Sequence, residues 1–496
     1  MKEVIKKFVP PFVLNYYHLA MPFIGNLWYG VPSKKLKVIG VTGTNGKSTV
    51  ANLIAGILEE AGFKIASLSS IKFKIGDKEW ENTLKMTMPG RLKIQKFLSE
   101  AVKAGCQYAV IEVSSEGIKQ HRHRFIDFDE AVITNLTAEH IESHGSFAKY
   151  KEAKGQLFKA LSDSILKKRG RPGEAKKISV VNLDSPHADY FLDFPAEEKY
   201  GFKIATPKIK KTPHFEKKTK IVKAGTFLQD RQGDFQVLTA EVVSGSENIA
   251  AANIKNHPEV KVIEASNVVL YSDGIKFLVN GTDFNLKLLG KFNVQNALGA
   301  IAVGLSQGID LQTMKRALER VEKVPGRMEI LAVKPFTVIV DYAHTPDALE
   351  EVYCTVRNQL INNNEQKIRC ILGAAGGGRD KWKRPEMGKI AAKYCDQVIL
   401  TNEDPYDEDP EQILSEIESG IIEGGKQGIL SKILDRKEAI REVLASARPG
   451  DVVLITGKGS EPWMMLKQKK ISWDDREIVK ETLKDVCHIN LPTIVA

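Results

Sequence analysis

Two stretches of the chain share one rhythm, short β-branched runs that alternate with segments of helical period. In the first, Leu36-Lys-Val-Ile-Gly-Val-Thr42, Tyr108-Ala-Val-Ile-Glu-Val113 and Glu130-Ala-Val-Ile-Thr-Asn135 are apolar almost throughout, as strands buried on both faces of a parallel sheet are. Ser48 to Ala61 follows the first run at helical spacing. In the second, Thr337-Val-Ile-Val-Asp341, Ile368-Arg-Cys-Ile-Leu-Gly373, Gln397-Val-Ile-Leu-Thr401 and Asp451-Val-Val-Leu-Ile-Thr-Gly457 are four strand signals separated by helical stretches. That is the pattern of a doubly wound α/β unit, whose functional residues gather at the carboxyl ends of its strands. From about Lys167 to Leu289 the chain turns Lys-rich and then alternating, as in Phe235-Gln-Val-Leu-Thr-Ala-Glu-Val-Val243, which predicts a β-rich elaboration of the first unit. The pattern divides the chain into an apolar, aromatic arm (1–35), a central unit (36–323, with an insertion at about 203–289) and a Rossmann-like unit (324–496). Pro325 and Gly326 mark the second boundary. No internal repeat is present.

Composition changes little in this picture. At 496 residues, 43% hydrophobic and 27% charged, the chain reads as soluble and globular, with about three domains at ~150 residues each. The net charge of +10 comes largely from Lys167 to Lys177 and Lys203 to Lys223, while Glu403 to Glu411 is acidic. No aromatics are interleaved through the first block, and these lysines read as solvated faces, or as a field for anionic substrates, and not as a nucleic-acid surface. Cys106, Cys354, Cys370, Cys395 and Cys487 form no CxxC pair, and their odd number and spacing argue against a disulfide framework or a zinc site, which suits a reducing cytoplasm. Phe8 to Val31 is apolar behind Lys2, Lys6 and Lys7, but Pro10, Pro11 and Pro22 break it and Asn15, His18 and Asn26 interrupt it. It reads as an arm packed on the next domain, with an interfacial membrane contact as the alternative, and as neither a signal peptide nor a span.

The sharpest chemistry lies in Gly40-Val-Thr-Gly43-Thr44-Asn45-Gly46-Lys47-Ser48-Thr49, between a strand and a helix. Glycines let backbone N–H groups face phosphates, the helix N-terminus favours negative charge, Lys47 reaches the terminal phosphates and Ser48 can ligate magnesium. Val41 stands where the strict GxxxxGK[ST] pattern has its first glycine, so this is a variant phosphate loop. Glu112 closes one strand and His140 follows another, so that with Ser48 they could complete a site for a hard cation.

Together with that loop, Glu112-Val-Ser-Ser-Glu-Gly-Ile-Lys-Gln-His-Arg122, His140 and Tyr150-Lys-Glu-Ala-Lys154 resemble the central domain of the Mur ligases. Gly290-Lys-Phe-Asn293-Val-Gln-Asn296, Gly326-Arg327-Met-Glu and Asp341-Tyr-Ala-His344-Thr-Pro are similar to the family's adenine-side and inter-domain motifs. The nearest branch is the MurE type, which adds the third peptide residue to a UDP-N-acetylmuramoyl-dipeptide in peptidoglycan synthesis. The resemblance implies a cytoplasmic, monomeric ligase that uses ATP and Mg2+. The acceptor carboxylate is phosphorylated, an amine attacks the acyl phosphate, and an amide forms. It assigns phosphates and adenine to Gly43, Thr44, Asn45, Gly46, Lys47, Ser48, Thr49, Asn293, Asn296, Arg327, Asp341 and His344. It assigns metal to Ser48, Glu112, His140 and a carbamylated Lys154, and the acceptor to Thr87, Ser114, Ser115, Gln120 and Arg122.

Gly376-Gly-Gly-Arg379-Asp resembles the loop whose arginine grips the incoming amino acid's carboxylate, a task that suits a bidentate guanidinium. Glu403-Asp404-Pro405-Tyr406 stands where diaminopimelate enzymes have Asp-Asn-Pro-Arg, and Gly457-Lys-Gly-Ser-Glu461 where they have Gly-Lys-Gly-His-Glu. Tyr406 lacks the cation for the far carboxylate of diaminopimelate, so lysine and diaminopimelate both stay open, with Glu461 and the acidic run to receive an ammonium. Thr87-Met88-Pro89 has one hydroxyl fewer than the family's Thr-Thr-Pro, and Glu116 replaces a histidine. Only 39 residues precede Gly40, against about a hundred that form a uridine-binding domain in MurE-type enzymes. That leaves a lipid-linked acceptor as an alternative, beside a folylpolyglutamate-type ligase and, disfavoured, a phosphate-loop protein without catalysis.

Overall fold

The computed structural model describes residues 11–84, 86–163, 176–205, 228–229, 235–236, 255–467 and 469–485. The β-branched runs become the parallel core of an eleven-stranded sheet ordered β13-β12-β11-β8-β7-β6-β1-β5-β2-β3-β4. Its central strands are β1 (Lys37–Thr42), β5 (Tyr108–Glu112), β6 (Glu130–Ile133) and β7 (Ile178–Asn182), all parallel and nearly all buried. β2 (Ile65–Leu68) continues on one side into the antiparallel β3 (Lys72–Ile75) and β4 (Lys78–Glu81). On the other side β8 (Glu198–Ile204) pairs in parallel with β11 (Lys261–Tyr271), and β12 (Gly274–Val279) and β13 (Thr282–Leu286) add antiparallel strands. Of the region after Ile204, residues 261–286 therefore extend this sheet. Of the strand expected at Phe235 to Val243, only β10 (Phe235–Gln236), paired with β9 (Leu228–Gln229), lies within the described residues.

A second, six-stranded sheet has the order β14-β15-β19-β16-β17-β18, with β18 (Leu430–Lys432) parallel to β17 on the edge. The four expected strands are β15 (Thr337–Val340), β16 (Ile368–Leu372), β17 (Gln397–Leu400) and β19 (Val452–Ile455), all parallel, with β14 (Glu329–Ala332) antiparallel on the edge. Each sheet is covered by apolar side chains on both faces, which is what near-continuous hydrophobic strands require. The fold is α/β, with a phosphate-loop sheet and a Rossmann-like sheet.

Three sequence expectations are corrected. The arm is not broken by its prolines: one helix, Pro11–Trp28, runs through Pro22. Pro22, Gly25 and Asn26 form its buried face, and Gly25 lies against Leu92 of the helix Arg91–Lys103, so tertiary packing outweighs the backbone hydrogen bond that Pro22 cannot make. Tyr16 and Trp28 on the other side are 71% and 81% exposed, and among the described residues no helix is long and apolar enough to cross a membrane. Cys370 and Cys395 form a disulfide with Cα atoms 6.5 Å apart, because the β16–helix–β17 crossover returns Cys395 to the edge of its neighbouring strand. Lys177, counted with a solvated lysine block, is buried and donates to the Phe128 carbonyl at 2.6 Å beside Asp129. Lys176 is exposed, and the rest of that block before it lies outside the described residues.

Glu130, at the start of β6, carries a test of this packing. Its carboxyl is fully enclosed, accepts bonds from Ser306 and Gln307, and is pushed up to about 8 by burial. The folded state keeps the proton up to that pH, whereas an unfolded glutamate releases it near 4.5, so stability falls as pH rises between the two values. Glu130→Gln is expected to raise Tm by several degrees at pH 8 and to leave it nearly unchanged at pH 5, measured by thermal denaturation.

Candidate active site between the two sheets

The carboxyl ends of β1, β5, β6 and β7 and those of β15, β16, β17 and β19 open onto one cavity of about 770 Å³. At its floor the phosphate loop joins β1 to the helix Lys47–Glu60, with Gly46 at φ 79° as the helix N-cap. A side chain at Gly43 would collide with Thr134, and one at Gly46 with Asn296, so these glycines are required by close approach as well as by backbone angle. The loop is braced from β6: the Thr44 amide donates to the Asn135 carbonyl at 3.0 Å, the Asn45 amide to Asn135 Oδ1 at 2.8 Å, and Thr134 Oγ1 to the Asn45 carbonyl at 2.6 Å. Val41 is a buried β1 residue, and the turn forms without a glycine there.

Hard oxygen donors lie beside the loop. Ser48 Oγ donates to Glu112 Oε2 at 2.8 Å, and the same carboxylate oxygen accepts the Ser70 amide at 2.8 Å. Lys154, on the helix Phe147–Asp163, is 1% exposed and donates to the Gly43 carbonyl at 2.6 Å. Burial, reinforced by the Lys47 ammonium, drives its pKa well below that of a free lysine despite Glu139 and Glu112. His140 begins the short helix Ile141–His144 at φ 56°, and burial lowers its imidazole to about 4, with Glu139 opposing and Arg379 assisting. It is a neutral ring at physiological pH.

The acceptor-side residues Thr87, Ser114, Gln120 and Arg122 line the cavity. Arg122 donates to the Met88 carbonyl and to Gln120 Oε1, and Ser114 caps the helix Ser115–Lys119. Thr44, Asn45, Gly46, Lys47, Ser48, Thr49, Asn296, Arg327, Asp341 and His344 also face it. Four of the sequence-derived residues do not line it, Lys154 among them. Gly43 contributes its carbonyl to Lys154, Ser115 is buried in its helix, and Asn293 bonds the Leu289 carbonyl and orients Asn296. Asp341 accepts the amides of Met328 and Ala343, both at 2.6 Å, which makes it a brace for the turn that carries Arg327.

At the second sheet Arg379, Asp404, Tyr406, Gly457 and Glu461 converge. Lys458 is fully buried and pairs with Asp404 at 2.9 Å and Glu461 at 2.5 Å. Burial works against its ammonium, but Glu461 and Asp404 outweigh it and raise the pKa. Of the acidic run, Asp404 is thus neutralised by Lys458. Glu403 Oε2, by contrast, is buried without a hydrogen-bond partner among the described residues, and Gly457, at φ 107°, leaves room for it.

Sequence reading missed several groups. Glu139 lies 3.6 Å from His140 and 3.3 Å from His344. Burial would raise its carboxyl, yet His140, His344 and Lys47 hold it well below the ordinary value. Its adjacency to His140 was the available signal. Ser70 comes from a turn that carries no motif, whereas Asn135, Asp380, Glu403 and Lys458 lie inside stretches singled out for the roles of their neighbours.

Comparison with known proteins gives the following. Residues 41–304 match the Mur ligase middle domain and residues 326–459 the Mur ligase glutamate ligase domain. The chain is 35% identical to a UDP-N-acetylmuramoyl-L-alanyl-D-glutamate–2,6-diaminopimelate ligase of Syntrophomonas wolfei, over 94% of this chain and 82% of that protein. It is 35% identical to a UDP-N-acetylmuramyl-tripeptide synthetase of Roseiflexus, over 96% and 84%. Among solved structures, a UDP-N-acetylmuramoyl-L-alanyl-D-glutamate–2,6-diaminopimelate ligase aligns at TM-score 0.52 and 28% identity over 92% of this chain and 79% of that one. A folylpolyglutamate synthase of Mycobacterium tuberculosis aligns at TM-score 0.59 but 14% identity, over 88% and 92%, which shows a shared fold only.

Proposed function

The chain belongs to the Mur ligase family, and from that premise we propose that it adds a diamino acid to UDP-N-acetylmuramoyl-L-alanyl-D-glutamate in an ATP-dependent, ADP-forming step of peptidoglycan synthesis. One observation carries the reading: the phosphate loop with Lys47, the carboxylate of Glu112 and the guanidinium of Arg379 line a single cavity, with Lys154 buried behind the loop at the Gly43 carbonyl. The ATP γ-phosphate passes to the acceptor carboxylate, the amine attacks the acyl phosphate, and phosphate leaves as the amide forms. Negative charge moves at every step, so the cations matter most. Lys47 holds the transferring phosphate, Arg122 and Gln120 orient the acceptor, and Arg379 takes the amino acid's carboxylate. His140 and His344, joined through Glu139, link the loops of the two sheets.

Magnesium fits the donor set. Glu112 and Ser48 offer hard oxygens beside the phosphate loop, and among the described residues no group of three or more His, Cys, Asp and Glu forms a protein-only cage. A cation held by one carboxylate, a hydroxyl, phosphate oxygens and water is the usual magnesium arrangement, and its role there is to neutralise phosphate charge. A neutral Lys154 amine is the form that adds carbon dioxide, and the resulting carbamate would supply a second anionic ligand.

The amino acid's far end meets Tyr406 and the unpartnered Glu403 oxygen instead of an arginine, which supports recognition of an ammonium more than of a second carboxylate. Phosphate release with UDP-N-acetylmuramoyl-dipeptide tests both points. Lysine is expected to be used within about tenfold of diaminopimelate, and Tyr406→Arg to shift that ratio about tenfold or more toward diaminopimelate, one charge-assisted contact's worth. A strict diaminopimelate preference in the unaltered enzyme would overturn the reading of Tyr406.

A lipid-linked acceptor is the second reading, favoured by the exposed aromatic face of the helix Pro11–Trp28. Tyr17 and Met21 of that helix line a cleft of about 300 Å³ that shares Leu84 and Met86 with the main cavity. Turnover of a polyprenyl-linked but not a UDP-linked dipeptide would select it.

A further inference from the structure

Three consecutive residues of the amino-acid loop meet three consecutive residues of the His140 turn, more than two hundred positions away in the chain. Arg379 Nη1 lies 3.5 Å from His140 Nδ1. Asp380 accepts the Ile141 amide at 3.1 Å through one carboxylate oxygen and the Glu142 amide at 2.8 Å through the other. Lys381 returns a bond from its own amide to Glu142 Oε1 at 2.7 Å. Asp380 is 4% exposed, and its carboxylate accepts the first amides of a helix that has no side-chain cap of its own, with the Lys383 ammonium acting on it. His140 needs such support, since it adopts a left-handed backbone conformation rare for a residue with a side chain.

We infer that Asp380 is a positioning residue that latches the amino-acid loop onto the His140 turn, so that the site seals only when the two sheets are brought together. The inference rests on the ligase reading above. Arg379, one residue away, is where the incoming carboxylate docks, so amino-acid binding and the latch share one loop. Asp380 touches no substrate atom in this scheme. It sets His140 and Glu139 against His344 and excludes water from the acyl phosphate. Two buried charge-assisted bonds lost together put the expected effect on turnover at about a hundredfold.

The chemical signature is leakage. An acyl phosphate exposed to water gives carboxylate and phosphate, so ATP is consumed without amide. For Asp380→Ala, the ratio of phosphate released to amide formed should rise from near one to several, with kcat for amide down about a hundredfold and ATP affinity unchanged, and Asp380→Asn, which keeps one acceptor oxygen, should fall between it and the unaltered enzyme. Glu142→Gln, which leaves both Asp380 bonds in place, should shift the ratio only slightly and guards against misfolding in the first pair. Small-angle scattering with a non-hydrolysable ATP analogue, acceptor and amino acid should show compaction of the unaltered enzyme and little in Asp380→Ala. Stoichiometric turnover and full compaction in Asp380→Ala would overturn the latch. If the unaltered enzyme turns over none of the proposed substrates, the ligase reading fails by itself, and compaction with the ATP analogue alone then decides the latch.

Discussion

Lys154→Ala is expected to lower ligation by about a thousandfold and to regain part of it with formate or acetate, while the affinity for ATP stays within a few fold. The argument starts from solvation. An ammonium as enclosed as Lys154 loses most of its hydration, which the bond to the Gly43 carbonyl and the Tyr150 ring 4.5 Å away do not replace. Lys47 nearby adds repulsion, and together they push the amine toward its neutral form. A neutral amine is a nucleophile toward carbon dioxide, and the product turns a would-be cation into an anion beside Glu112 and Ser48. Loss of a preorganised charge at a phosphoryl-transfer site costs about 3–4 kcal/mol, which sets the thousandfold figure. A small carboxylate can occupy the space the side chain vacates. Turnover with and without added carboxylate, beside a carbon-13 carbamate signal in the unaltered enzyme, checks it. Full activity in Lys154→Ala without any addition would remove the carbamate from the mechanism.

Lys154 entered the sequence reading only through the family resemblance, although the spacing of its helix carries its burial. Tyr150, Lys154, Leu157, Phe158 and Leu161 recur at the spacing of one buried helix face, and a lysine in that stripe must be desolvated. The strands were legible for the same reason, since β-branched runs buried on both faces admit few other structures. Burial of Lys177 and the Cys370–Cys395 disulfide were not, because each depends on which strands become neighbours. Pro22 misled because proline opposes helix locally, while the packing of Gly25 on Leu92 is set by a segment far along the chain. At the site, motifs marked the residues that face the cavity but not those that hold the loops: Asn135 and Asp380 act on backbone amides brought to them by the fold.

The other large effect belongs to Arg379. Arg379→Ala is expected to raise KM for the amino acid about a hundredfold or more, and Arg379→Lys to recover only part of it. A guanidinium can present two parallel N–H donors to one carboxylate, whereas an ammonium on the same stem is a point charge without that geometry. Arg379 lines the cavity with Tyr342, Tyr406 and Glu461, and its own loop is fixed to the His140 turn through Asp380. Its charge also acts on His140, where it adds to burial in keeping the imidazole neutral. Removing that charge should let the His140 pKa rise toward its ordinary value, so the acidic limb of the kcat profile for Arg379→Ala should move to higher pH. Loss of amino-acid affinity alone would leave that limb where it is. The two effects together separate a residue that only binds the incoming amino acid from one that also holds the phosphate side in its working protonation state.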